Sequence, residues 1–237
     1  MIKKFIKILL VLLIFIVFAV IGIYSIYNEP LPTGKSGPQA DALAQKMLKS
    51  INAEAFKNTR YLDWTFRNGK HTYKWDKKLG KVKVSWDDIT VNLMINHPKK
   101  SYVFKKKIIV KDIKQCEKAI EKAIKLFNND SFWLVAPFKV FDEGVKRSLV
   151  KLDDGTNGLL VTYTSGGSTP GDSYLWKLQP SGFPESFKMW VQIIPIGGLE
   201  ATWDDWQLVN SGAFLPKTHL LGPIKLDMGN VRGFDSY

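Results

Sequence analysis

Side chains that could bind a metal or act as nucleophiles are few in this chain and lie far apart. The three histidines, His71, His97 and His219, fall in different segments, and Cys116 is the only cysteine. A zinc site needs ligands that converge, and a reactive thiol needs neighbours that lower its pKa. Neither pattern is present, so the sequence predicts no metal site and no cofactor. Cys116 is expected to be a small core residue.

Two acidic pairs remain as candidates for acid–base chemistry. The tripeptide Trp-Asp-Asp occurs at 86–88 and again at 203–205. General acid–base catalysis needs a carboxyl group held beside a partner that tunes its pKa. Each pair stands where a strand ends or alternates toward solvent, and no such partner is apparent. A hydrolase using Asp87, Asp88, Asp204 or Asp205 is therefore the weakest functional hypothesis, and we predict that the protein is not an enzyme.

Large apolar and aromatic side chains form a stronger pattern. They alternate with polar residues in three consecutive segments at 61–67, 71–76 and 81–86. A concave sheet lined by such rings can leave an apolar pocket, because many indole rings pack together poorly. The same rings could simply fill a core, and the sequence leaves both possibilities open. The candidate ligand-binding residues are Trp64, Phe66, Tyr73, Trp75, Trp86 and Trp203.

Antiparallel strands must position these side chains. Alternation with a period of two indicates strands at 61–67, 71–76, 81–86 and 89–95, and Asn68-Gly69 predicts a hairpin turn between the first two. The second half of the chain adds strands at 146–152, 159–164, 174–179, 186–194 and 199–206. Residues 222–237 are ambiguous between an edge strand and a loose tail.

Two helices are predicted to cover the sheet. The first begins at Pro38 and ends near Asn52, and the second begins at Asp112, a favourable N-cap. The second helix should bury one stripe of side chains, made of Ile113, Cys116, Ile120, Ile124 and Phe127. Hairpin-length links without a βαβ rhythm indicate an α+β fold. We expect one antiparallel sheet of about eight or more strands, which must curl to stay soluble.

The N-terminal segment is read as a membrane anchor. Residues 5–27 are almost entirely apolar and, as a helix, would reach roughly 35 Å, enough to cross a bilayer. A cleaved signal peptide is the alternative, but the run is long and no cleavage site ends it. Lysines on the N-terminal side predict that residues 1–4 are cytoplasmic. Residues 28–37 would then be a linker and 38–237 a single extracytoplasmic domain of a bacterial inner-membrane protein with one membrane span.

The chain is basic, with a formal net charge of +12. The extracytoplasmic part would keep 31 basic residues against 22 acidic ones. Such a surface attracts anionic membrane lipids, although charge that serves only solubility is an equal alternative. Nothing in the sequence resembles a nucleic-acid-binding module, so no nucleic acid is expected as a partner.

The order of elements resembles a known class of envelope proteins. A helix, ADALAQKMLKSI, leads into the meander RYLDWTFRNGKHTYKWDKKLGKVKVSWDDITVNL, and an amphipathic helix interrupts the strands. VTYTSGGSTPGDSYLWKL and FKMWVQIIPIGGLEATWDDW follow. Across about 38–210, this pattern resembles lipoprotein carriers of the LolA/LolB-like kind or exported bacterial proteins related to them.

The resemblance implies an open half-barrel, with helices covering its concave face around an apolar cavity that takes acyl chains. This chain departs from a soluble carrier because it is predicted to be tethered. We therefore expect a membrane-anchored extracytoplasmic protein that binds a lipid or other hydrophobic ligand. The alternative is a non-catalytic structural or assembly module of an envelope complex.

Overall fold

The computed structural model describes the backbone of residues 2–236, and the side chains of these residues except positions 2, 3, 19–21 and 23. It is an α+β structure in which antiparallel strands predominate. The helices are α1 (Ile2–Tyr27), α2 (Pro38–Ser50), α3 (Ala53–Asn58) and α4 (Ile113–Val135). The strands are β1 (Tyr61–Phe66), β2 (His71–Asp76), β3 (Lys81–Trp86), β4 (Ile89–Met94), β5 (Tyr102–Lys105), β6 (Ile108–Ile109), β7 (Val145–Lys151), β8 (Asn157–Tyr163), β9 (Ser173–Leu178), β10 (Pro184–Trp190), β11 (Leu199–Thr202), β12 (Gln207–Leu208), β13 (Phe214–Leu215), β14 (Thr218–Leu221), β15 (Ile224–Asp227) and β16 (Arg232–Phe234).

The strands form two seven-stranded sheets and a small ribbon of β12 and β13. We call them sheet I, with strand order β16-β1-β2-β3-β4-β5-β6, and sheet II, with order β15-β14-β11-β10-β9-β8-β7. Most neighbours in each sheet are consecutive in sequence, as expected for hairpin-length links. The turn predicted at Asn68-Gly69 is present, but its loop has four residues because Phe66 pairs with His71.

The prediction of one continuous sheet is corrected to two sheets that meet at the C-terminal segment. Strand β15 pairs with β14 of sheet II, whereas β16, a few residues later, pairs with β1 of sheet I. Between them, the Thr65 amide donates to the Met228 carbonyl at 3.0 Å. The ambiguous segment at 222–237 therefore forms two strands and joins the two sheets.

Helix α4 spans both sheets. Its N-cap is Asp112, whose carboxylate accepts a hydrogen bond from the backbone N–H of Gln115 at 2.8 Å, in agreement with the predicted helix start. The first half of α4 packs on sheet I through Ala123 and Phe127. Its second half reaches the core of sheet II. The predicted buried stripe is wrong at Ile113, because that side chain is 74% exposed where α4 extends past the edge of sheet I.

Helix α2 covers sheet II, with Ala44 and Met47 buried in the core of that sheet. The predicted first helix extends to about Asn52 but is interrupted there. Asn52 adopts a left-handed conformation (φ 54°), and the short helix α3 follows it. The two sheets therefore have different helical covers, α4 and the short helix α3 against sheet I, and α2 together with the end of α4 against sheet II.

Residues 28–37, predicted to be a linker, lie along sheet II. Trp190 Nε1 donates to the Glu29 carbonyl at 2.8 Å, and Lys188 Nζ lies 2.7 Å from the Glu29 carboxylate. A backbone bridge joins Lys35 to Leu149 of β7.

Among the described residues, no helix is both long enough and apolar enough to cross a membrane. The anchor predicted at 5–27 includes positions 19–21 and 23, whose side chains lie outside the described residues. The anchor therefore stays a prediction.

Candidate functional site

Five of the six predicted ligand-binding residues share the inner face of sheet I, where they pack against α4. Trp64 stacks on Tyr73 with ring centroids 4.6 Å apart, and Trp75 meets Phe127 of α4 edge-on at 5.1 Å. Phe66 and Trp86 are also buried in this cluster. Because these rings contact one another and α4, they fill the space between sheet and helix. Within the cluster they act as core residues.

The sixth residue, Trp203, belongs to a different core. It follows β11 in sheet II and contacts Trp176 at 4.9 Å and His219 at 4.5 Å between ring centroids. The hypothesis that all six residues line one site is therefore corrected, because the two sheets separate Trp203 from the others. Its alternation in sequence matched the first meander, but alternation carries no information on which sheet a strand joins.

A buried carboxylate ties α4 to sheet I, and sequence reasoning did not identify it. Asp130 Oδ2 lies 2.7 Å from His71 Nδ1 and accepts a hydrogen bond from the Tyr73 hydroxyl at 2.5 Å, while its Oδ1 accepts from Asn129 Nδ2 at 2.8 Å. Burial, reinforced by the neighbouring carboxylate, raises the pKa of Tyr73 far above its ordinary value. Asp130 follows Phe127 by three positions, so it stands on the buried face of the helix. The helical spacing from Phe127 could therefore have identified Asp130 as a buried carboxylate from sequence.

This polar cluster holds a helix to a sheet, and its members contact one another. Among the described residues, no group of three or more histidine, cysteine or acidic side chains could hold a metal ion. It is a buried hydrogen-bonded cluster that holds α4 to sheet I. Burying such polar groups costs little folding free energy when every group has a partner, but removing one partner is strongly destabilising.

The acidic pairs considered for catalysis lie outside the strands, the first in a turn and the second in the segment after β11, where Asp204 forms a backbone bridge with Thr218. Asp87 and Asp88 are exposed between β3 and β4. Asp204 and Asp205 accept hydrogen bonds from the hydroxyls of Thr202 and Thr218. The two pairs belong to different sheets.

An open groove lies at the edge of sheet I, beside the packed rings. It has a volume of about 210 Å³ and runs between the first turns of α4 and strands β3 to β5, with Val110 at its end. Of the six predicted residues, Trp86 lines it. Lys122 Nζ lies 5.0 Å from the centroid of the Trp86 ring, a cation–π contact. The remaining lining side chains are Ile89, Val103, Lys105, Val110, Gln115, Lys118 and Ala119.

The groove combines an apolar floor with a basic rim. Ile89, Val103 and Val110 belong to the floor, and lysines stand around it. Drug-sized ligands occupy pockets of about 300 to 1,000 Å³, so this groove fits a single narrow chain rather than a ring system. The chemistry that suits it is an alkyl segment with an anionic end group, since the alkyl part would cover the floor and the anion would meet ammonium groups.

A second hollow of about 400 Å³ lies between α2 and the edge strands of sheet II. Leu43 and Leu149 line it together with polar side chains and Lys46. It has no aromatic side chain in its lining and a single cation. An amphipathic anion would therefore make fewer favourable contacts there than in the groove of sheet I.

The core of sheet II contains a buried histidine. His219 Nδ1 lies 2.9 Å from the Thr202 carbonyl oxygen, and its ring contacts Trp133 and Trp203. Burial lowers the pKa of His219 to about 4, although the bond to Thr202 acts in the opposite direction. The imidazole is therefore neutral at physiological pH and serves as a hydrogen-bonded core residue.

Comparisons with known proteins add no family assignment. No protein-family model matches the chain, and no curated protein matches it either.

Proposed function

We propose that this protein is a membrane-anchored extracytoplasmic binding protein for a lipid or similar hydrophobic ligand, held at the edge of sheet I. The observation that carries the proposal is the groove beside Trp86, which has an apolar floor and lysines on its rim. A fatty acid or lysolipid matches both features, because its alkyl chain removes apolar surface from water and its acidic group meets Lys105, Lys118 or Lys122.

The likeness to lipoprotein carriers is part of the proposal. Support comes from the order of the sheets, which meet at the C-terminal segment, and from α4, which spans both of them. An open half-barrel with helices on its concave side would have this connectivity. The packed rings of Trp64, Tyr73 and Trp75 leave the groove edge, rather than the aromatic interior, as the position for a ligand.

The membrane anchor and the bacterial inner-membrane location are proposed with it. Helix α1 has 26 residues, and its described side chains include Phe5, Val11 and Phe18, all exposed. A helix of that length reaches about 39 Å, comparable with the thickness of a bilayer. Apolar side chains exposed along such a helix are consistent with lipid around them.

A structural or assembly module is the second candidate, and the interlocked aromatic interior favours it. Rings that contact each other at 4.6 to 6.5 Å need no ligand to complete the core. In this case the basic surface would meet a protein neighbour and the groove would stay empty. The two candidates make opposite predictions about labelling by a lipid probe.

The test is photo-crosslinking of the full chain, in detergent, with a palmitate analogue that carries a diazirine on its alkyl chain. Peptide mass spectrometry then locates the modified residues. We expect labels in β3 to β5 and the first half of α4. Ala119→Trp should fill the groove and reduce this labelling at least about fivefold, because the indole would occupy the volume of the alkyl chain.

Ala42→Trp is the matched control, since Ala42 lines the second hollow instead. It should leave the labelling of the groove unchanged. Labels confined to α1, or labels in the groove that persist in Ala119→Trp, would contradict the proposed site. They would leave the structural module as the better account.

A further inference from the structure

The hairpin of β5 and β6, together with the start of α4, ends in a group of apolar side chains that face solvent. Ile108 is 72% exposed and Ile113 is 74% exposed, and Ile109 and Tyr102 are exposed beside them. We call residues 99–118 the basic tip. Strand β6 is the last strand of sheet I, so no further strand of the sheet covers these side chains in the described part of the chain.

Lysines surround the exposed isoleucines. Of the 34 lysine and arginine residues in the chain, eight lie in the basic tip, beside only two acidic residues, Asp112 and Glu117. One of these acids, Asp112, is already engaged as the N-cap of α4. In the described structure, no salt bridge includes any lysine of the tip, whereas Lys188 on sheet II pairs with Glu29. The eight lysines are Lys99, Lys100, Lys105, Lys106, Lys107, Lys111, Lys114 and Lys118.

The turn between β5 and β6 holds two of these lysines in an unfavourable backbone conformation. Lys106 and Lys107 have φ values of 49° and 67°, in the left-handed region. Hairpin turns with two such residues usually contain Asn-Gly, because other L side chains crowd the backbone there. Lysines therefore occupy turn positions where Asn-Gly would be less strained. Retained strain of this kind is expected where a surface has a binding role.

We propose that the basic tip docks on an anionic lipid bilayer. Lysine ammonium groups would contact lipid phosphates, while Ile108, Ile109 and Ile113 would enter the headgroup region. Exposed isoleucines have no role in binding a soluble polyanion, which needs only the charge. A second copy of the chain is an equally poor occupant, since β6 has two residues and identical lysine groups would repel each other.

This inference goes beyond the proposed ligand. Its apolar contacts, Ile108, Ile109 and Ile113, do not line the groove, although Lys105 and Lys118 belong to both surfaces. The groove lies beside the tip, because Val103, Lys105, Val110 and Lys118 line it. A tip seated on a bilayer would open the groove toward lipid. Docking does not require the groove to hold anything, however, so the two proposals can fail independently.

The test uses the full chain reconstituted in phosphatidylcholine nanodiscs, where α1 is already accommodated. The nanodiscs are mixed with sucrose-loaded vesicles and sedimented. The vesicles contain phosphatidylcholine alone, or phosphatidylcholine with about one quarter phosphatidylglycerol. We expect sedimentation only with the anionic vesicles, decreasing as salt is added, because salt screens exposed charges.

Two tip variants separate charge from apolar contact. Lys106→Gln/Lys107→Gln/Lys111→Gln should reduce capture at least about tenfold, since each lysine near an anionic surface contributes substantially. Ile108→Ser/Ile109→Ser/Ile113→Ser should reduce it about threefold or more while the charge is retained. The matched control, Lys49→Gln/Lys146→Gln/Lys151→Gln, removes the same charge from other exposed positions and should stay within about twofold of the parent.

The turn variant Lys106→Asn/Lys107→Gly guards against loss of folding. It should fold at least as well as the parent, because Asn-Gly suits the backbone, and yet capture fewer vesicles. If the control lysine variant loses as much vesicle capture as the tip lysine variant, the proposal is overturned in favour of nonspecific attraction. Full capture after the isoleucine substitutions would overturn it in favour of a soluble polyanion. Association between nanodiscs without vesicles would overturn it in favour of a second copy.

Discussion

The two sheets of this protein have the same number of strands and a similar wealth of aromatic rings, yet they differ in what covers them. Sheet II lies beneath α2 and the end of α4, and residues 28–37 pack along it. Sheet I is covered by α4 and the short helix α3, and its last strand leaves isoleucine side chains in solvent. The incompletely covered edge of sheet I, rather than its packed rings, is therefore where we propose the binding function.

The polar groups inside the two sheets differ in the same way. Sheet I encloses the carboxylate of Asp130, which is bonded to Tyr73 and His71. Sheet II encloses His219, which is held neutral by burial. In sheet I, the Asp130 carboxylate joins α4 to the sheet through two hydrogen bonds, whereas in sheet II a neutral imidazole fills a gap between indoles. The two cores should therefore respond to different perturbations.

The largest expected effect is the loss of stability on removal of a core tryptophan, which should be greater in sheet II than beside the groove of sheet I. Trp203→Ala should lower the free energy of unfolding by about 4 to 5 kcal/mol, because that ring is enclosed by Trp176, Phe187 and His219. Trp86→Ala should cost about 3 kcal/mol, because its ring, although buried, borders the groove and its loss opens no closed cavity. Urea unfolding followed by far-UV circular dichroism measures both. Equal losses would mean that the sheets are equally closed.

Removal of the carboxylate should affect sheet I next most strongly. Asp130→Ala leaves the hydroxyl of Tyr73 and the ring of His71 without their partner and should cost about 3 to 4 kcal/mol. Asn129→Ala, at the exposed neighbouring position, should cost about 0.5 kcal/mol. A double-mutant cycle with Tyr73→Phe isolates the shared bond. If Asp130→Ala lowers the free energy of unfolding by less than about 1 kcal/mol, the hydrogen bonds of Asp130 contribute little to stability.

The response to pH should come from sheet II. The pKa of His219 is about 4 in the folded protein against an ordinary value of 6.5, so between these values the unfolded chain binds a proton that the folded chain does not. Stability contributed by the neutral imidazole is complete above pH 6.5 and is lost as the pH falls toward 4. The loss should total about 3 kcal/mol.

The difference between His219→Gln and the parent protein tests this assignment. The variant should be less stable at neutral pH, because glutamine fills the site less well, but its stability should fall less steeply between pH 6.5 and 4. Unfolding midpoints in urea across this range measure the slope. Parallel curves for parent and variant would assign the acid sensitivity to other groups.

The smallest effect should be a gain in sheet I. Lys106→Asn/Lys107→Gly relieves two left-handed lysines in the β5–β6 turn and should stabilise the protein by about 1 kcal/mol. Asp87→Asn, at another left-handed position between β3 and β4, is a single-residue comparison and should raise the free energy of unfolding by about 0.3 kcal/mol. Thermal unfolding detects both. A loss of stability in the lysine variant would mean that the turn contributes contacts that outweigh its backbone conformation.

Much of the local structure could be predicted from sequence because it depends on neighbours along the chain. Alternation identified β1 to β4 and β7 to β11, and Asp112 marked the start of α4. The strand predicted at 186–194 ends at Trp190 instead, since residues that follow form a loop containing Gly197 and Gly198. The α+β class follows from these elements and their short links.

The site could be predicted only in part. Trp86 was identified as a candidate, and it does border the groove. The short strands β5 and β6, however, carry no alternation long enough to recognise, so the groove walls and the basic tip were missed. Ile113 was expected to face the core because it has the helical spacing of the stripe, but α4 begins beyond the sheet that would cover it.

The sequence by itself determined where the longer strands and helices form and which of their faces are apolar, since these properties reside in short stretches of chain. Only the tertiary structure decided that the strands divide into two sheets, that Trp203 lies apart from the other five candidates, and that Asp130 meets Tyr73 and His71. Those outcomes depend on contacts between residues far apart in the chain. Alternation specifies the face of a strand but not its partner.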